Sequence, residues 1–340
     1  MTPENKDILL KLLDRHRELG ISEQIDYDKF YLYSIIVHST AIEGSTVTEV
    51  EAQLLFDEGI TSSKRTLQEQ QMNLDLKVAY EYGREWIKKH NPITVDWLIL
   101  LASKVMAHTG SEYSAIGGNF SAAKGELRKL NVSAGIGGKS YMSYLKVPER
   151  LAAFCEELNC RRKAVDVTDV CAVYDLSFWA HYELVTIHPW ADGNGRTSRL
   201  LMNLLQMEFG VLPTKVLKED KATYIQALID TREKEDITIF QNCMASLHIQ
   251  HLKNDIEQYL NSTIDTTQKN KTTTQKTLTT TQKAILDYLK EHPTATRQEV
   301  AEAIGNITED GIKYHFSRLQ KKGYLKREGG RKLGHWVVKI

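Results

Sequence analysis

The sequence predicts a mainly α-helical protein whose larger part holds one short β-hairpin and whose C-terminal end is a small α+β module. Three observations carry this. Apolar residues recur at helical spacing through most of the 340 residues. One long segment, 110–147, loses that period and collects glycines at Gly110, Gly117, Gly118, Gly125, Gly135, Gly137 and Gly138. A Thr/Gln/Lys stretch at 261–277 then separates the helical bulk from a C-terminal region in which helical spacing gives way to two strand-like runs.

The first helix reads over 5–20, stopped by Gly20, and the second over 26–43, stopped by Gly44. Helices follow at 47–58 and 66–90, the latter closed by Asn91-Pro92. Thr94 caps another reaching about His108. Within 110–147 the sequence allows loop and a short hairpin. Helices resume at Pro148–Leu158 and Asp166–Ile187, then at 194–209, 219–233 and 236–260. Beyond the polar stretch come Thr281–Glu291, Thr296–Ile304 and Thr308–Lys322, then strands Tyr324–Glu328 and His335–Val338 around a glycine-rich turn. Helix, helix, helix, hairpin is winged-helix order. The expected organisation is a helical N-terminal region (1–90), a central core (91–260), a flexible linker (261–277) and a winged-helix domain (278–340).

Composition excludes several classes. Lys plus Arg and Asp plus Glu number 44 each, so net charge alone implies no polyanionic partner. Four cysteines without CxxC spacing argue against a disulfide framework or a zinc site and fit a reducing cytoplasm. No stretch approaches the ~20 apolar residues of a membrane span, so the expectation is a cytoplasmic protein without a membrane partner.

The densest signal is His188-Pro189-Trp190-Ala191-Asp192-Gly193-Asn194-Gly195-Arg196-Thr197-Ser198-Arg199. Pro189 and two glycines shape a tight turn that feeds the helix marked by Leu200, Leu201, Leu204 and Leu205. Such a turn aims backbone N–H groups and the positive helix end at one point, an anion site. Arg196 and Arg199 lie three apart on the first turn and add charged donors for phosphate. Asp192 would repel bare phosphate but suits Mg²⁺ bridging carboxylate and phosphate oxygens. His188 can serve as general base at neutral pH.

These twelve residues resemble the Fic family motif HPFx(D/E)GNGRxxR, with Trp190 in place of the usual Phe. The likeness extends over roughly 90–250 and implies a Fic helical core with a short β-hairpin flap. It implies an activity too: transfer of AMP from ATP to a Ser, Thr or Tyr hydroxyl of a target protein, itself included, with release of pyrophosphate. By that resemblance His188 deprotonates the hydroxyl and Asp192 holds Mg²⁺ on the α- and β-phosphates. Asn194 and the backbone near Gly193 and Gly195 hold the α-phosphate, while Arg196 and Arg199 orient the β- and γ-phosphates. The flap that pins the target's backbone is expected in Gly125–Gly138. Tyr224, at the head of YIQAL, is similar to a family segment near the adenine pocket; a helix-packing tyrosine is the ordinary alternative.

Ser39-Thr40-Ala41-Ile42-Glu43-Gly44 resembles the family's inhibitory motif (S/T)xxxE(G/N). Helical spacing puts Ser39 and Glu43 on one face. The resemblance pairs Glu43 with Arg199, where the γ-phosphate must sit, so the expectation is an autoinhibited enzyme. The same glutamate could instead position water for removing AMP.

Residues 278–340 carry twelve Lys/Arg against seven Asp/Glu, an excess of five positive charges. Lys313, His315, Arg318, Lys321 and Arg331 are the candidate DNA contacts of this module; a protein-interaction or dimerisation module is the alternative. A DNA-binding regulator whose core only senses nucleotide is the competing reading of the whole chain, although a regulator would not need His188. Oligomeric state stays open, a homodimer included.

Overall fold

A computed structural model of the protein describes residues 1–134, 139–269, 278–305, 307–321, 323–329 and 334–339. Among them no helix is long and apolar enough to cross a membrane. The chain forms two compact units, Met1–Thr46 with Leu67–Asn261, and Val47–Thr66 with Ser262–Ile340.

The first unit is a helical core. It contains α1 (Pro3–Glu18), α2 (Tyr27–Ile42), and then, beyond α3 (Glu49–Glu58) of the other unit, α4 (Leu67–Ile87) and α5 (Val95–Val105). Strands β1 (Glu112–Ala115) and β2 (Gly118–Ser121) follow, then α6 (Val147–Ala164), α7 (Val170–Ile187), α8 (Asn194–Glu208), α9 (Lys221–Lys234) and the part of α10 (Ile237–Lys269) that ends at Asn261. Caps set several starts: the Thr94 hydroxyl accepts from Trp97 N at 3.1 Å and the Asp169 carboxylate from Ala172 N at 3.0 Å.

Helix α8 is the axis of this unit. It packs against α2, α4, α5 and α7, and its residues from Arg196 to Gln206 are all buried. A helix buried on every side must satisfy its polar groups inside the protein. Accordingly Asn203 accepts from the Tyr80 hydroxyl at 2.6 Å and donates to Thr214 O at 2.9 Å. Gly83 of α4 lets the helices close up, since a Cβ there would lie 2.4 Å from a Leu204 methyl.

Segment 110–147 differs in detail from its sequence reading. The regular hairpin is β1–β2, with Tyr113 opposite Phe120, and precedes the expected flap. A second antiparallel pairing lies further on: Tyr141 N donates to Val132 O at 3.0 Å, Ala134 N to Lys139 O at 3.2 Å, and Ser133 bridges Ser140. One arm of this pairing lies inside the stretch Gly125–Gly138 expected to hold the flap and the other just beyond it; Gly135, Gly137 and Gly138 lie outside the described residues.

The second unit builds its core from α11 (Thr280–Glu291), α12 (Arg297–Ile304), α13 (Glu309–Lys321) and the hairpin β3 (Leu325–Glu328)–β4 (His335–Val338). Ile285, Leu286, Leu289, Val300, Ile312, Phe316, Leu319 and Trp336 form one apolar cluster. This is a winged helix, with α3 packed on α13. Two boundaries thus move. The stretch 47–66 belongs with the winged helix and not with a continuous 1–90 region. And α10 runs to Lys269, nine residues into the expected linker; extending a nucleated helix adds one bond per residue fixed, which Thr, Gln and Lys tolerate. Residues 270–277 lie outside the described residues.

Candidate active site

The loop between α7 and α8 is held by its own backbone and by three buried side chains. His188 ends α7 in the left-handed region, φ 53°. Its Nδ1 donates to Val185 O at 3.2 Å, which leaves Nε2 as the ring's acceptor. Burial pushes the imidazole pKa down to about 4, and the Val185 bond only partly opposes this. The ring is neutral near pH 7. Tyr141 stacks on it, ring centres 3.9 Å apart and 18° from parallel.

Arg128 is the clamp under this end of the loop. It is 1% exposed, and its guanidinium donates to His188 O at 2.8 Å, Leu130 O at 2.8 Å and Met142 O at 2.6 Å. Its own N–H donates to Pro189 O at 2.9 Å. One side chain thus ties the α7–α8 loop to both sides of the 132–141 pairing. Trp190 is buried, with Nε1 donating to Gly125 O at 2.9 Å. Asn194 closes the turn, accepting from Trp190 N at 3.1 Å and donating to Trp190 O at 2.9 Å. Its side chain is thereby engaged with the loop, so the N–H groups of the first turn of α8, which geometry leaves without intrahelical acceptors, are the donors that face an anion.

At the other end of the loop the two arginines differ. Arg196 is buried, touches Met106 Sδ at 3.0 Å and lies 3.6 Å from the Asp192 carboxylate. Its Nε and Nη1 have no hydrogen-bond partner among the described residues. Bare guanidinium nitrogens in a buried place are costly unless an anion meets them. The Asp192 side chain is 55% exposed and caps Gly193 N. Gly193 has φ 82°, and a Cβ there would meet Met106 Sδ at 2.7 Å.

Arg199 has partners. Its Nε donates to Ser39 Oγ at 2.9 Å, and Nη2 donates to Ser39 O at 2.9 Å and to Glu43 Oε1 at 2.6 Å. Burial pushes the Glu43 carboxyl up, but the charge and hydrogen bond of Arg199, with Arg196 and Lys221 nearby, hold it below the usual range. The carboxylate lies over the start of α8, since a Cβ on Gly195 would come within 2.8 Å of Glu43 Oε1. Behind it, Asn73 of α4 accepts from Thr40 Oγ1 at 2.9 Å and donates to Ser45 Oγ at 3.2 Å. Gly44 ends the helix at φ 104°, and Thr46 N donates to Glu69 at 2.8 Å.

Residues 92–206 match the model of the Fic/DOC family, and residues 278–326 match a winged helix-turn-helix DNA-binding model. The chain carries a Fic domain. Protein adenylyltransferase fic-1 of Caenorhabditis briggsae is 27% identical over 204 residues, 59% of this chain and 36% of its own. Protein adenylyltransferase Fic of Drosophila erecta is 29% identical over 234 residues, 69% of this chain and 43% of its own. The chain thus spans less than half the length of these curated relatives. Among solved structures, a Fic domain containing signaling protein from Bacteroides thetaiotaomicron is 22% identical with a TM-score of 0.60, over 75% of this chain and 97% of that one. A Fic family protein from Desulfovibrio desulfuricans covers all of this chain and 97% of its own, with 16% identity and a TM-score of 0.57. These two likenesses show the fold.

The Fic domain brings together His188, Asp192, Gly193, Asn194, Gly195, Arg196 and Arg199 on one loop, with Ser39 and Glu43 reaching Arg199. Tyr224 is placed otherwise. It is 1% exposed, its hydroxyl bonds His181 Nε2 at 2.9 Å, and Arg199 lies over its ring at 5.9 Å. That is a packing position behind Arg199. In the winged helix Lys313 and Arg318 are exposed, whereas His315 is 7% exposed, which corrects its place among surface contacts. The Lys321 side chain and Arg331 lie outside the described residues. Sequence reasoning missed Arg128, Tyr141 and Asn73. All three act through partners distant in the chain, and only the position of Arg128 and Tyr141 inside the flap segment hinted at them.

Proposed function

We propose that the chain is an autoinhibited protein adenylyltransferase. The observation that carries this reading is the pairing, on one loop, of a neutral imidazole whose Nε2 is left as acceptor with a buried guanidinium that has two nitrogens unpartnered among the described residues. The first is a base and the second a seat for phosphate. Nε2 of His188 takes the proton of a target hydroxyl, whose oxygen attacks the α-phosphorus of ATP. The new O–P bond forms as the bond to the β-phosphate oxygen breaks, and pyrophosphate leaves with the displaced electron pair. Arg196 and the first-turn N–H groups of α8 orient the phosphates.

Mg²⁺ fits this arrangement: an outward carboxylate, Asp192, stands beside donors suited to phosphate, and one carboxylate with phosphate oxygens and waters is an ordinary magnesium shell. When bound, the ion would supply neutralisation of phosphate charge. Glu43 and Ser39 occupy Arg199, so the γ-phosphate lacks its donor until α2 yields. The winged-helix match supports a second partner, DNA, met by Lys313 and Arg318.

The test uses Glu43→Gly with ATP labelled on either the α- or the γ-phosphate. AMP transfer puts only the α-label on protein, and does so only with His188 intact. Protein labelled by γ-phosphate, or by neither, contradicts the reading.

A further inference from the structure

We propose that α3 lies on the recognition face of the winged helix in the place of DNA, and that DNA displaces it and with it the inhibitory end of α2. The second part rests on the adenylyltransferase reading above; the first does not.

The recognition helix is α13. Its core side is fixed by Ile312, Phe316 and Leu319, all in the apolar cluster. Tyr314 is two residues from Ile312, about 200° round the helix, and so points away from that core. That outward face is the one a winged helix presents to a DNA groove. Here it is covered. Helix α3 packs on α13, and Gln53 Nε2 donates to the Tyr314 hydroxyl at 3.1 Å. Arg318, one turn on, donates to the same hydroxyl at 2.6 Å.

The covering helix has the charge of the ligand it would replace. Residues 49–58 hold Glu49, Glu51, Asp57 and Glu58 and no Lys or Arg. Glu51 is used internally, in the Thr48 capping box and with Arg65 at 2.9 Å, while Glu49, Asp57 and Glu58 are exposed. An acidic helix on a face carrying Arg318 and flanked by Lys313 competes with phosphate for the same cations.

Chain connectivity supplies the consequence. The N-cap of α3, Thr48, follows Glu43 by only five residues. Gly44 and Ser45 leave little slack, so α3 cannot travel far while Glu43 stays on Arg199. DNA binding and release of Glu43 are then reciprocally linked.

The test uses the full chain and a fluorescent random-sequence duplex of about 20 base pairs, two helical turns. Gln53→Arg sets a guanidinium against Arg318 and should drive α3 off without altering α13. Anisotropy at low salt should show this variant binding about tenfold more tightly than the parent, a typical coupling factor. Hydrogen exchange over 49–58 in the parent should quicken when duplex is added. Equal affinities with unchanged α3 exchange overturn the masking while leaving DNA binding in place; no binding by either folded protein overturns the proposal at its root. Saturating duplex should also raise AMP transfer by the parent about tenfold but leave Glu43→Gly unchanged. A parent rate indifferent to duplex overturns the linkage. A Glu43→Gly variant that transfers no AMP instead overturns the adenylyltransferase reading, and anisotropy alone then judges the masking.

Discussion

The two ends of the catalytic loop are built to different states of readiness. At the base end every group is in place: Val185 sets the tautomer of His188, Tyr141 holds its plane, and Arg128 fixes the backbone on which it stands. At the phosphate end one arginine has bare nitrogens and the other is occupied by Ser39 and Glu43. On the proposed reading, restraint acts on where the triphosphate sits and leaves the base alone. An enzyme held this way needs no rebuilding to start; it needs one carboxylate moved.

Breaking the base end should have the largest effect. In the Glu43→Gly background, His188→Ala should lower AMP transfer by about 10²–10⁴, the range for losing a general base, with ATP affinity kept. At the phosphate end Arg196→Ala removes a charged donor worth about 1.5–3 kcal/mol and should weaken ATP binding accordingly in a calorimetric titration, with His188 still titrating as before. Arg128→Ala removes three side-chain bonds, to the carbonyls of His188, Leu130 and Met142. It should cost about 2–4 kcal/mol of stability, read from thermal unfolding; an unshifted transition would mean the flap is not tied through this residue. The smallest effect concerns pH. With its folded pKa depressed to about 4, His188 stays neutral from pH 8 down to 5.5, so transfer by Glu43→Gly should be nearly flat there and fall only as pH drops towards 4. The same sign holds for stability: the unfolded imidazole binds its proton near 6.5, so this residue's contribution declines between pH 6.5 and 4. A rate that halves near pH 6.5 would show that the imidazole is not held in its buried setting.

Much of this was legible in the sequence because it is local. The His188–Arg199 loop, the Ser39/Glu43 spacing, the Thr94 cap and the winged-helix order all follow from residues within a few turns of one another. What was not legible depends on which distant partner a residue meets. An arginine in a glycine-rich segment reads as solvated, yet Arg128 is buried by carbonyls from three places. Helix α3 reads as a continuation of the N-terminal helices, because apolar periodicity reports that a face is covered and not by what. His315 reads as a surface contact because it is polar, yet it stands one turn from both Ile312 and Leu319 on the core side of its helix and is buried there.

The central claim is that Glu43, by holding Arg199, keeps the triphosphate from its productive seat. The direct measurement is the initial rate of self-modification at saturating α-labelled ATP for the parent chain and for Glu43→Gly. The account predicts a rise of about 10–100-fold in the variant, the worth of freeing one charged phosphate donor, and its loss when His188 is also replaced. Equal rates from two equally folded proteins would contradict it.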